Sequence, residues 1–234
     1  MLSSLPPAMT RRSRPLSDRE QSEERGETQY FAAQPPARSS PREIRVRVRD
    51  IGLVFMTDRG VFSYGRVDRG SKLLIETVDE PDGPELLDWG CGWGLLGIVA
   101  ARAWPQVQVT MVEVNERACE LARENARINH AEGLEIICGD AFKVLGERSF
   151  DTILCNPPIS AGREVVLRVF DDAAARLSPG GTFWMVAATR KGAKTLARLL
   201  GERFADVEQV RLGGGFRVYA AAQPTSHNQP PTSD

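Results

Sequence analysis

The chain predicts a mostly parallel α/β sheet closing in an antiparallel hairpin, with a small β-rich extension in front. Three observations carry this. From residue 85 onward, short apolar runs alternate with stretches of helical period. The first run empties into Leu86–Gly94, L-L-D-W-G-C-G-W-G, whose three glycines lead straight into an apolar helix. The last two strands are separated only by Gly213-Gly-Gly215, which reads as a hairpin turn. Repeated βα units place helices on both faces of a parallel sheet.

Residues 1–28 are polar, aperiodic and rich in Pro, Ser, Arg and Glu, and read as a disordered tail. Gln29–Pro41 is also irregular, but its adjacent rings, Tyr30 and Phe31, point to packing. Ile44–Arg49 (I-R-V-R-V-R) alternates as a half-exposed strand does; Gly52–Thr57 is a second strand and Val61–Tyr64 a third short piece. Ser71 caps a helix over Lys72–Val78. Residues 29–79 are thus the extension with its lead-in helix, 80–222 the main domain and 223–234 a second disordered tail.

In the main domain, strand Glu85–Asp88 leads to the buried helix Leu95–Arg102 and strand Gln108–Val114 to helix Glu116–Asn129, capped by Asn115. Strand Leu134–Cys138 runs into Gly139-Asp140-Ala141 and a short helical piece, and strand Phe150–Cys155 ends at Asn156-Pro-Pro-Ile159. Helix Glu164–Leu177 stops at Ser178-Pro-Gly-Gly181; strand Thr182–Ala188, helix Gly192–Phe204 and strands Val207–Leu212 and Phe216–Ala221 complete seven strands.

With 234 residues, 41% hydrophobic and 26% charged, the chain suits one soluble domain. Its net charge is −1, and between the two ends 23 basic groups face 25 acidic ones. A nucleic-acid partner would therefore be held by a local patch. The four cysteines contain no C-x-x-C pair and read as reduced thiols rather than a zinc site, so no metal is expected. No apolar run approaches the ~20 residues of a membrane span. Met1–Ser17 has no apolar core of a secretory signal, and the acids at Asp18, Glu20, Glu23 and Glu24 oppose a transit peptide. A cytoplasmic protein with no membrane partner is expected; the oligomeric state is left open.

Ligands of an open α/β sheet sit at the carboxyl ends of its strands, and the polar punctuation collects there. The first strand ends in Asp88 and the loop Gly90-Cys91-Gly92-Trp93-Gly94. The second ends in Glu113-Val114, with Glu113 lying 19 residues beyond Gly94, a spacing suited to holding the two ribose hydroxyls. The third ends in Asp140-Ala141, an acceptor for an adenine amino group. A glycine-rich loop alone serves a dinucleotide equally well, or is a tight turn with no ligand. Here the spacing is G-x-G-x-G, and Asp88 in front would repel a pyrophosphate while suiting the cationic S-adenosylmethionine.

Asn156-Pro157-Pro158 indicates the reaction. An Asn oxygen and a proline carbonyl can accept both N–H groups of an amide-like nitrogen, aiming its lone pair at a methyl donor. Consecutive prolines stiffen that array. The alternative is an ordinary strand-ending turn.

With these residues the chain resembles the class I S-adenosylmethionine-dependent methyltransferases, and among them the RsmC-like group of small-subunit rRNA guanine-N2 methyltransferases, short single-domain members included. The landmarks run from about Gln29 to Ala222: Y-F-x-x-x-P, T-D-R-G-V-F-S, D-R-G-S-K-L-L, D-W-G-C-G-W-G, N-P-P-I-S-A-G and G-G-G-F-R-V. The resemblance implies a Rossmann-like sheet and cofactor binding by Asp88, Gly90, Gly92, Glu113, Asp140 and Ala141. It also implies that Asp68, Gly70 and Ser71 close over the methionine end and that Asn156 and Pro157 orient the target amine. The implied partner is ribosomal RNA or the small ribosomal subunit.

Two departures stand out. Ile159 occupies the place where many such enzymes carry a ring that stacks on the flipped base, an interaction worth about 1–3 kcal/mol. Tyr30, Phe31, Phe62 and Tyr64 are candidates to replace it. The second, RNA-recognising domain of larger members has no counterpart here. Arg190, Lys191, Lys194 and Arg198 form a basic helix face, and Arg45, Arg47 and Arg49 a basic strand row. Each is read either as a solvated surface or as an RNA contact. Two competing functions remain: glutamine-N5 methylation of a release factor, and a catalytically silent cofactor-binding assembly factor.

Overall fold

The chain enters through an antiparallel hairpin, β1 (Arg42–Val48) and β2 (Ile51–Thr57), in a computed structural model describing residues 37–81, 83–131 and 133–225. The hairpin's two-residue turn places Arg49 and Asp50 at φ 48° and 61°, the mirror-image geometry that matches strand twist. Positive φ is unfavourable for arginine, and its side chain holds it there. The Arg49 guanidinium donates to the carbonyls of Ile75 and Val78 at 2.7 and 2.6 Å and lies 4.6 Å from the Trp104 ring centre. It thereby satisfies carbonyls at the C-terminal end of α1 (Arg69–Thr77).

The remaining elements are β3 (Glu85–Trp89), α2 (Leu95–Ala103), β4 (Gln108–Glu113), α3 (Glu116–Ile128), β5 (Leu134–Cys138), α4 (Ala141–Val144), β6 (Phe150–Cys155), α5 (Arg163–Arg176), β7 (Leu177–Ala188), α6 (Ala193–Gly201), β8 (Phe204–Gly213) and β9 (Phe216–Pro224). The large sheet has the order β5-β4-β3-β6-β7-β9-β8, parallel from β5 to β7, with β9 antiparallel to both of its neighbours. Strand order reverses at β3, so the glycine-rich turn lies at the topological switch point where such sheets bind ligands.

Helices cover both faces. On one, α1, α2 and α3 share a core with Phe55 and Leu53 of β2 and with Leu86, Met111 and Val218 of the sheet. On the other, α5 and α6 pack on Phe150, Ile153 and Phe183, with the Phe170, Phe183 and Phe204 rings at centroid distances of 6.0 and 5.8 Å. The extension is therefore built into the main core.

Polar groups dock it as well. The Asn125 amide of α3 accepts from Met56 N–H at 2.6 Å and donates to Met56 O at 2.9 Å and Trp93 O at 2.8 Å. One turn on, Asn129 accepts from Val54 N–H and donates to Val54 O, at 2.9 and 2.7 Å. Two side-chain amides at i and i+4 thus pair backbone groups of β2 as a neighbouring strand would, closing its edge.

Several expectations are corrected. Val61–Tyr64 is a turn, not a strand; Val61 is buried while Phe62 projects outward. The first helix begins earlier than Lys72, with Asp68 as its cap: the carboxylate accepts from Ser71 N–H at 2.7 Å. An acid three residues before the amide meets the capping geometry that Ser71 was expected to supply. Ser178-Pro-Gly-Gly181 does not interrupt the sheet, because a register shift opposite Phe150–Thr152 absorbs it inside β7. Helix α6 ends at Gly201, and Phe204 already belongs to β8. Gln223 and Pro224, placed in the tail by composition, belong to β9, where Pro224 stands opposite Phe204. Cys119 and Cys138 are joined as a disulfide between α3 and β5, against the reading of four reduced thiols; Cys91 and Cys155 are free and buried. Residues 1–36 and 226–234, with Tyr30 and Phe31, lie outside the described residues.

Candidate active site

Strand β3 delivers the chain to the switch point, where Gly90 and Cys91 both donate their N–H to Val112 O at 3.0 Å. The turn then needs positive φ at Gly90, Gly92 and Gly94 (75°, 57° and 96°), which glycine alone adopts without strain. A Cβ at Gly90 or Gly92 would meet nothing within 4 Å, so the loop presents open backbone. Gly94 differs: its Cβ would stand 2.9 Å from Ile98 Cδ1, and it serves packing, off the cavity wall.

That loop borders a cavity of about 950 Å³, near the top of the usual range for small-molecule sites. Glu113, at the end of β4, is on the wall beside Val114 and Cys91. Its two oxygens accept from Gly92 N–H at 2.8 Å and Asn115 N–H at 2.9 Å. Each oxygen keeps a further lone pair for a ligand hydroxyl. Asp140 lies at the end of β5 with Ala141, caps α4 by accepting from Phe142 N–H at 3.2 Å, and also lines the cavity.

Asp88 is placed differently from the expectation of direct ligand contact. It is wholly buried behind the loop, away from the wall, with Oδ2 accepting from Gly97 N–H at 2.9 Å and Oδ1 unpartnered among the described residues. Burial, reinforced by the Glu113 charge and partly countered by the Gly97 bond, pushes its carboxyl up to about 7. Burial also raises Glu113, and raises the Cys91 and Cys155 thiols well above their ordinary range, Asp88 adding to both. Neither free thiol is an activated nucleophile.

Strand β6 ends at the chemistry-bearing segment. The Asn156 Nδ2 donates to Asp68 Oδ2 at 3.1 Å and to Ser71 Oγ at 2.9 Å. With the donor end of the amide occupied, Oδ1 is left as an acceptor on the cavity wall. Pro158 has φ −75° and ψ 73°, an inverse γ-turn in which Ile159 N–H bonds Pro157 O at 2.8 Å. This fixes the direction of the Pro157 carbonyl and leaves it one lone pair. Asp68 and Ser71, implied by resemblance to close over a cofactor end, are here the anchors of Asn156. Gly70 is off the wall and supports a ring: its Cβ would lie 2.8 Å from Phe216.

Phe62, Tyr64 and Ile159 line the cavity, as expected of substrate-side residues, and so do Phe216 and Arg66, which sequence reasoning did not single out. Phe216 belongs to the quoted G-G-G-F-R-V landmark, but only the fold of β9 beside β7 brings it to Asn156. Arg190 is exposed in the Thr189–Lys191 turn beyond β7 and does not reach the wall; the Lys191 side chain lies outside the described residues. In the basic strand row, Arg45 pairs with Glu43 and Arg47 with Asp50 at the exposed surface, while Arg49 caps α1. Among the described residues no group of three or more His, Cys, Asp or Glu side chains is arranged to hold a metal ion, and no helix is long and apolar enough to cross a membrane.

Known proteins share this fold. The Thermus thermophilus 16S rRNA N2 G1207 methyltransferase RsmC, solved with AdoMet and guanosine, superposes with a TM-score of 0.69 at 30% identity, over 81% of this chain and 52% of its own. The fold and its cavity are those of the class I S-adenosylmethionine-dependent methyltransferases. Within that class the chain belongs to the Methyltransferase small domain family, whose model matches residues 52–220. The uncharacterized protein YbxB of Bacillus subtilis is 36% identical over 194 residues, covering 82% of this chain and 96% of YbxB. Ribosomal RNA small subunit methyltransferase C of Pseudomonas aeruginosa UCBPP-PA14 is 34% identical over 81% of this chain and 57% of that protein. The chain thus spans little more than half the length of the rRNA methyltransferases it matches.

Proposed function

We propose that this protein methylates the exocyclic N2 of a guanine in small-subunit ribosomal RNA, using S-adenosylmethionine. The observation that carries the reading is the Asn156 amide on the cavity wall next to Pro157, held through its nitrogen by Asp68 and Ser71 so that its oxygen is left as an acceptor. Guanine N2 carries two hydrogens and a delocalised lone pair. Bonding both hydrogens to Asn156 Oδ1 and Pro157 O pyramidalises the nitrogen and turns the lone pair away from the ring. A methyl group supplied by a sulfonium would form the new C–N bond as its S–CH3 bond breaks and the neutral thioether leaves, and the two acceptors would stabilise the positive charge growing on the nitrogen. One N–H proton then leaves for solvent.

The cofactor fits the residues present. Open backbone at Gly90 and Gly92, the spare lone pairs of Glu113 and the Asp140 carboxylate suit its adenosine, and the buried Asp88 carboxyl behind the loop, once ionised, suits its cationic end. When bound it supplies a sulfonium-activated methyl group. The cavity volume leaves room for a nucleoside beside it, which requires the target base to be unstacked from its strand. The likeness to RsmC solved with guanosine favours this substrate over a protein glutamine.

Tritiated methyl transfer to undermethylated small subunits, free small-subunit rRNA and release factor tests the reading. Label in RNA or subunits is the expected outcome. Label confined to release factor, or none, would contradict it.

A further inference from the structure

Arg42 and Arg59 converge on one ring, and Arg66 follows two residues after it in the same loop. The Arg42 and Arg59 guanidinium carbons lie 5.1 and 5.9 Å from the centre of Tyr64, and the Arg42 stem packs against Gly65. Tyr64 itself is braced by its hydroxyl, 3.2 Å from Ser40 Oγ, and both Tyr64 and Arg66 are on the cavity wall. All three arginines are exposed. None of their guanidinium groups forms an ion pair within 4.0 Å among the described residues; the Asp58 carboxylate, which accepts from Arg59 N–H at 2.7 Å, is paired with Arg117, and Arg198 on α6 with Glu202. Like-charged guanidinium groups gathered without ion pairs of their own repel one another, and a polyanion is the chemistry that relieves this. The chain as a whole is close to neutral, so the concentration is local, next to Tyr64 and Arg66 of the cavity wall.

We infer that Arg42 and Arg59, set over the Tyr64 ring, and Arg66 on the cavity wall beside it grip the phosphodiester backbone next to the target nucleotide. The inference rests on RNA being the substrate. It places RNA recognition on the extension and the loop after β2, not on the basic face of α6.

Binding of labelled, undermethylated small-subunit rRNA is measured across a series of KCl concentrations for the parent and for R42Q/R59Q/R66Q. Each phosphate contact contributes about 0.7 to the slope of log affinity against log salt on single strands. The triple variant should therefore bind with a slope shallower by about 2 and, at low salt, with roughly ten- to hundredfold weaker affinity. R42K/R59K/R66K should recover the slope. The rise in melting temperature on adding S-adenosylmethionine reports an intact site; if the triple variant lacks it, R42Q and R59Q singly, each expected to remove about 0.7, decide instead. An unchanged slope in a folded variant, while the parent still methylates RNA, overturns the arginine assignment alone. A parent that neither binds nor methylates RNA overturns the functional reading with it. Salt-sensitive capture of poly-glutamate that the variant loses, with RNA binding unaltered, would assign the surface to an acidic protein and also overturn it.

Discussion

At Asn156 the two ends of one amide have separate tasks, and the division is made by residues 85 and 88 positions away in sequence. Removing the Asp68 acceptor frees the amide to turn its nitrogen toward the cavity, where it would repel the substrate N–H. Asp68→Ala is expected to lower kcat by about 10- to 100-fold, since small misplacements at a reacting centre cost that much. S-adenosylmethionine affinity, measured by calorimetry, should change far less. Asp88 gives a second prediction. With its carboxyl near 7, the folded protein retains a proton between about pH 4 and 7 that the unfolded chain has lost. Its contribution to stability is therefore present at low pH and falls as pH rises toward 7. Cofactor binding runs the other way, because a cationic ligand prefers the ionised carboxylate. Affinity should rise with pH through about 7, and Asp88→Asn should flatten that rise; equal profiles in both proteins would remove Asp88 from cofactor recognition.

At the scale of elements, the catalytic segment is held by three junctions: the cap of α1, the γ-turn after β6 and the hairpin that brings Phe216 over Gly70. The cap joins the first two, because Asp68 Oδ2 receives both Ser71 N–H and the Asn156 amide. The extension is fastened on the other side by the paired asparagines of α3. Asn125→Ala leaves Met56 N–H and O and Trp93 O without these partners. Each unsatisfied buried group costs about 1–3 kcal/mol, so urea denaturation should show a loss of at least that size. Asn129→Ala should behave similarly, and the two effects should not add, since they share one strand edge.

For the molecule as a whole, the parallel order and its switch point follow from local signals: apolar runs, helix period and the glycine turn. Glu113, Asp140 and Asn156 were legible for the same reason, since each directly follows a strand and strand ends converge. What sequence could not supply is lateral placement. Phe216 and Arg66 reach the cavity only because β9 inserts beside β7 and the loop after β2 folds back, and neither fact leaves a periodic trace. Val61–Tyr64 reads in sequence as a third short piece after two strands, but four residues are too few to show a period, and the fold makes them a turn with Val61 buried. Asp88 reads in sequence as a cofactor contact before a glycine loop, whereas in the fold it is buried behind that loop, where its carboxylate accepts from Gly97 N–H of α2. The central claim is that Asn156 presents a guanine N2 for methylation. Its most direct test is nucleoside analysis of small-subunit rRNA after reaction with the parent and with Asn156→Ala. N2-methylguanosine should form with the parent and fall to background with the variant; methyl groups on another nucleoside, or equal N2-methylguanosine from both proteins, would contradict it.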